Sequence, residues 1–129
     1  MFTLEQIHQA HSQMQSGADF PKYIQALKTL GVISYEVSVR DASVIYSGLD
    51  NFLLKTTTGL DPLSIMTTPD PEIFISDLKN HQNGNTDYPT FCRDCAKSGI
   101  EKWRVLIDAL ICTYFDISGN AVLVEKIPG

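Results

Sequence analysis

From Tyr35 to Val39 apolar and polar residues alternate strictly, with Tyr35, Val37 and Val39 set against Glu36 and Ser38. A period of two predicts a strand with one buried face. The same alternation returns at Trp103, Val105 and Ile107, 68 positions later. At that offset Asp19-Phe20-Pro21-Lys22-Tyr23 falls on Asp87-Tyr88-Pro89-Thr90-Phe91, Gly31-Val32 falls on Gly99-Ile100, and Tyr46 falls on Tyr114. Asp19 and Asp87 read as helix N-caps followed by a proline tolerated in the first turn. Gly31 and Gly99 read as helix stops that take a positive φ. Two more strand-like runs complete each half, 43–47 and 52–56 in the first, 111–115 and 121–127 in the second, where Ile117-Ser118-Gly119-Asn120 is a hairpin signal.

A further helix precedes each half. Leu4, Ile7, Ala10 or His11, and Met14 form one apolar stripe, and Asp70-Pro71-Glu72 opens a helix carrying Ile73, Ile75 and Leu78 and ending near Gly84. The pattern therefore predicts an α+β fold of two diverged ααβββ repeats in one domain, residues 1–129. The first repeat spans about 1–57, a Thr-rich connector about 58–69, and the second repeat about 70–129. Leu63, Ile65 and Met66 bring the connector partly onto the core. The predicted sheet is mostly antiparallel, of about six strands, with the helices on one face.

Composition narrows the function classes. A chain of 129 residues with 43% hydrophobic and 19% charged residues is long enough to bury a core without a metal or disulfide. A formal charge of −5, with scattered Lys and Arg, disfavours nucleic-acid binding. No apolar run reaches the length of a membrane span, and the N-terminus has no secretory pattern. The expectation is a cytoplasmic protein with no membrane partner, whose three cysteines stay reduced.

Cys92-Arg93-Asp94-Cys95 is a CxxC, and Cys92 and Cys95 are the redox candidates. A reactive thiol needs a lowered pKa, whereas the predicted cap Asp87 sits about one turn away and its charge opposes that. Cys92, Cys95 and Cys112 match Ile24, Leu27 and Val44 of the first half, so the competing expectation is that all three are small core hydrophobes. Glu5, His8 and His11 share one helix flank without a third firm ligand, and His81 matches Gln13, so no metal and no cofactor is expected. No GxSxG, P-loop, GxGxxG or HExxH occurs, and no catalytic residues are assigned.

The aromatic residues recur at matched positions, which reads first as core. Across a pseudo-two-fold seam, however, Tyr35, Tyr46, Trp103 and Tyr114 become candidates for lining a ligand cleft. On the opposite sheet face, where the first half carries serines, the second carries Leu106, Ile111 and Phe115. These are the interface candidates, and a homodimer is the expected cover.

The stretches Ser16-Gly17-Ala18-Asp19-Phe20-Pro21 and Thr86 to Gly99, with Glu101-Lys102-Trp103, resemble the YbcV-like family of bacterial and prophage proteins. Its members often carry the label "phage envelope protein", and the resemblance covers essentially the whole chain. It implies a prophage association and brings no catalytic residues. The function expected is a non-enzymatic binding or protein-interaction domain that self-associates and takes a small-molecule or protein ligand. The alternatives are a thiol redox enzyme or sensor using Cys92 and Cys95, and a virion structural component.

Overall fold

A computed structural model describes residues 1–128; Gly129, the last residue of the second predicted repeat, lies outside the described residues. The chain runs twice through the order helix, helix, strand, strand, strand. The first pass is α1 (Leu4–Ser12), α2 (Phe20–Leu30), β1 (Ser34–Ser38), β2 (Ser43–Ser47) and β3 (Leu53–Thr57). The second is α3 (Pro71–Gln82), α4 (Tyr88–Lys97), β4 (Lys102–Leu106), β5 (Ile111–Phe115) and β6 (Ala121–Lys126). The fold is α+β, as the alternating and helical periods predict.

The six strands form one antiparallel sheet in the order β3-β2-β1-β4-β5-β6. Its two halves meet where β1 pairs with β4, with Glu36 opposite Arg104 at the middle of the ladder. Residues 36 and 104 are themselves 68 apart, the same offset as the matched positions in the sequence. Backbone conformation follows the same offset. Gly31 and Gly99 both have positive φ, and so do Ala42 and Leu110 in the turns after β1 and β4.

Strand alternation sends Tyr35, Val37, Val44, Tyr46, Trp103, Val105, Cys112 and Tyr114 to one face, where they join the buried sides of the helices in a single core. In α2 the buried residues are Tyr23, Ile24 and Leu27, and in α4 they are Phe91, Cys92, Cys95 and Ala96. Cys92 and Cys95 thus bury the helix face that Ile24 and Leu27 bury in the first half. The outer face of the sheet carries no helix.

Local chemistry sets the helix ends, with three departures from expectation. Asp87 caps α4 by accepting from the Thr90 N–H at 2.8 Å. Asp19 makes no such bond to α2. A 3-10 turn at Gly17–Asp19 runs directly into that helix, and the Asp19 carboxylate accepts from the Gln15 N–H instead. In α3 the buried pair is Phe74 and Leu78 rather than the Ile73-led stripe, because residues four apart share a face and Ile73 lies about a quarter-turn away, exposed. In the connector Leu63 and Ile65 pack on the core, but Met66 is exposed and only its backbone is engaged, its N–H donating to the Ala96 carbonyl at 3.0 Å.

That strap leaves no room for a side chain at one glycine. Gly99 has φ +80°, and a Cβ there would come within 2.6 Å of the Pro69 Cα. Gly31 has φ +95° with nothing within 4 Å. Gly31→Ala should therefore cost only the left-handed strain, roughly 1–2 kcal/mol. Gly99→Ala adds a forced backbone shift, for a total of about 3 kcal/mol or more. Cys95→Val, a swap of similar volume in the core, should cost under about 1.5 kcal/mol. Urea unfolding midpoints of the three variants test this order.

Candidate functional site

A cavity of about 200 Å³ opens between the helices and the sheet at the seam of the two halves. Its floor comes from the inward residues of the central strands, Tyr35, Val37, Val44, Tyr46, Trp103 and Tyr114. Its walls are Tyr23 and Phe20 on the α2 side and Tyr88 and Phe91 on the α4 side. At the mouth stand His8, His11 and Met14, with His81 and Gln82 from the end of α3 and Thr56 to Thr58 from the end of β3. Gly17 seals one edge, where a Cβ would collide with the His81 carbonyl oxygen.

All five tyrosines of the chain and its one tryptophan line this cavity. A core that only needed volume would be served by phenylalanine, since a buried phenol must find a partner for its hydroxyl. Some partners are within the protein. The Tyr23 and Tyr46 hydroxyls lie 3.3 Å apart, and Tyr35 packs against the Tyr46 ring at 5.5 Å between centroids. His11 meets Tyr23 and Tyr88 edge-on at 5.3 and 6.2 Å, so one side chain bridges the two halves. His81 stacks on Phe91 at 4.4 Å, with its Nδ1 held 3.1 Å from the Thr86 Oγ1.

No Asp, Glu, Lys or Arg lines the cavity. Burial raises the pKa of all five tyrosines, so the phenols stay neutral. Burial also lowers His11, with a smaller contribution from His8, and burial lowers His81 against the pull of Thr86 and the nearby carboxylates. The site is aromatic and polar at points, and burial favours the uncharged forms of its five tyrosines, His11 and His81.

The four residues predicted to line a cleft, Tyr35, Tyr46, Trp103 and Tyr114, are brought together on its floor. Tyr23, Phe20, Tyr88 and Phe91 belong with them. His11, His81, Gln82 and Thr56 were missed as site residues, because only the packing of α1 and α3 over the seam brings them to one mouth. Glu5, His8 and His11 share α1, but among the described residues no three His, Cys, Asp or Glu side chains converge as a metal-binding group.

Cys92, Cys95 and Cys112 are all buried and unpaired. Burial pushes Cys92 up to about 11 and Cys112 to about 12, and raises Cys95 well above the ordinary thiol range. A reactive thiol requires the opposite. On the helix-free sheet face, Leu106 and Ile111 are cross-strand partners, while Phe115 lies at the other end of β5 opposite Lys102. There Phe115 is roofed by the Arg104 guanidinium and the Lys102 ammonium, 5.0 and 5.7 Å from its ring centre. Leu106, Ile111 and Phe115 therefore form two separate spots rather than one patch.

These shifts set the pH window of stability. Tyrosines raised above their usual 10.0 hold stability that is complete below about pH 10 and lost as pH climbs past it. Histidines lowered from 6.5 hold stability that is complete above that pH and lost as pH falls through their folded values. Titration of phenolate absorbance should show no tyrosine ionising in the folded protein and all five appearing together at alkaline unfolding. The acid limb should begin below about pH 6.5 and flatten when His11 and His81 are both replaced by glutamine.

No helix of the described residues is long and apolar enough to cross a membrane. Comparison with curated proteins gives no match. A family model described as a protein of unknown function matches residues 8–126, which includes α2 to β6 and most of α1. The chain belongs to this family, DUF1398.

Proposed function

We propose that this protein binds a small, uncharged, largely apolar molecule in the cavity at the seam and performs no chemistry on it. One observation carries the reading: every tyrosine and the only tryptophan of the chain surround a single cavity that no charged side chain lines. Such a lining suits a ligand that is apolar over most of its surface and polar at a few points. A charged ligand would lose its hydration without an opposite charge to replace it. The buried, high-pKa thiols and the lack of catalytic motifs weigh against a thiol enzyme.

Trp103 on the cavity floor is a built-in reporter. Indane, a neutral two-ring hydrocarbon, should change its fluorescence saturably with one molecule bound per chain. Thr56→Phe, which places a ring at the mouth, should weaken that binding by about tenfold or more while leaving the folded spectrum intact. Absence of saturable binding in the unmodified protein would remove the proposal.

Self-association through the open sheet face is a second reading, favoured by Leu106 and Val124, which are 42% and 60% exposed on strands that no helix covers. The separation of Phe115 from Leu106 shifts the expected centre toward Leu106 and Ile111. On this reading the protein elutes as a dimer by light scattering, and Leu106→Asp gives a folded monomer. A chain that stays monomeric at high micromolar concentration refutes it.

A further inference from the structure

We propose that the molecule bound at the seam is a flat one- or two-ring compound bearing a neutral carbonyl oxygen, gripped by the Tyr35 hydroxyl and the Trp103 indole N–H. The inference rests on the ligand-binding reading of the cavity and adds the chemical class of its occupant.

Size sets the first limit. An apolar cavity of about 150 Å³ accommodates benzene. At about 200 Å³ this one takes a slightly larger ring system. Shape sets the second, because walls made of aromatic faces and edges pack best against another flat ring.

The polar hydrogens set the third. Tyr23 and Tyr46 hydroxyls face each other, and His81 Nδ1 is held by Thr86. Tyr88 lies beside the Cys92 thiol, and Tyr114 lies beside that of Cys112. Tyr35 and Trp103 are each only 5% exposed, both line the cavity, and neither side chain has a hydrogen-bond partner among the described residues. Their polar atoms are not sealed in the interior either, since the Ser98 hydroxyl is the one fully enclosed unpartnered group found. The cavity that both side chains line is where one partner can reach both.

An indole N–H only donates, so whatever satisfies Trp103 must bring an acceptor. Tyr35 stands opposite Val105 and Trp103 opposite Val37, which makes the two aromatic residues diagonal neighbours on β1 and β4, on the same face. Diagonal neighbours lie about 7–8 Å apart, within reach of one another for aromatic side chains. One carbonyl oxygen, with two lone pairs, can accept from both. A carboxylate would also accept, but the lining offers no cation to replace its water.

Three probes with one skeleton separate the possibilities by calorimetry: indane, indanone and aminoindane, the last a cation at neutral pH. Indanone should bind about tenfold or more tighter than indane, the combined effect of two hydrogen bonds each worth a few-fold. Aminoindane should bind more weakly than indane. Tyr35→Phe removes one oxygen and nothing else, and it should reduce the ratio of indanone to indane affinity. Trp103→Phe should lower the same ratio, as an independent second variant. Equal binding of indane and indanone, or an advantage that survives both substitutions, overturns the carbonyl assignment while the cavity remains a binding site. Tightest binding of aminoindane overturns the uncharged class. If none of the three binds, the ligand reading of the cavity falls with it.

Discussion

With Glu36 opposite Arg104 at the centre of the β1–β4 ladder, every inward residue of the two middle strands is assigned a place over which the helices must close. A slip of one residue would turn the inward residues of one strand to water, Tyr35 and Val37 of β1 or Trp103 and Val105 of β4, and bring Glu36 or Arg104 into the core. The outer face reinforces the register. Glu36 reaches Lys102 at 3.0 Å and Arg104 at 3.7 Å, contacts available only when β1 and β4 are aligned in this way. Such partly exposed pairs stabilise by about 1 kcal/mol at most, so they select an alignment more than they hold the fold. The cavity is a product of the same alignment, because each half places its aromatic residues toward the seam and neither half contains the whole lining.

The choice of tyrosine over phenylalanine around that cavity runs against stability. Phenylalanine also lines the cavity at Phe20 and Phe91, and it fills a purely packing position at Phe74, fully buried in α3. At the seam the chain keeps hydroxyls close together and largely desolvated, with the Tyr23–Tyr46 contact as the one direct phenol pair. The cysteines show the contrasting economy. Cys95 on α4 and Cys112 on β5 face the core at 0% and 1% exposure, matched by aliphatic residues in the first half, and packing accounts for them.

Much of this arrangement is written in periodicities a reader of the sequence can see. The alternation around Tyr35 and Trp103 gives strands, their faces and the offset that relates them, and Tyr35, Tyr46, Trp103 and Tyr114 follow as a shared lining once a seam is supposed. Three kinds of feature stay hidden. Helix starts are ambiguous where two oxygen-bearing side chains compete, so Asp19 yields to a 3-10 turn capped by Ser16. Rotational phase within a short helix is set by neighbours, so Phe74 rather than Ile73 faces inward. The mouth of the cavity, from His11 to His81 and Gln82, depends on the distance between α1 and α3, which leaves no trace in local pattern. The cation roof over Phe115 is also tertiary, since Lys102 and Arg104 belong to a different strand.

The position of β1 in the sheet carries a consequence for how the chain is made. It is central in the finished fold, yet its partner β4 lies 68 residues further along. During synthesis β1, β2 and β3 can pair locally while β1 is still a bare edge, with one apolar face awaiting cover. A β4 strand from another molecule presents the same hydrogen-bonding edge and the same inward Trp103 and Val105. Exchange of C-terminal halves between two chains, with residues 58–70 as the hinge, is the alternative closure that this strand order leaves open. Because both routes make the same ladder, a swapped pair would carry two complete aromatic seams, each assembled from two different chains.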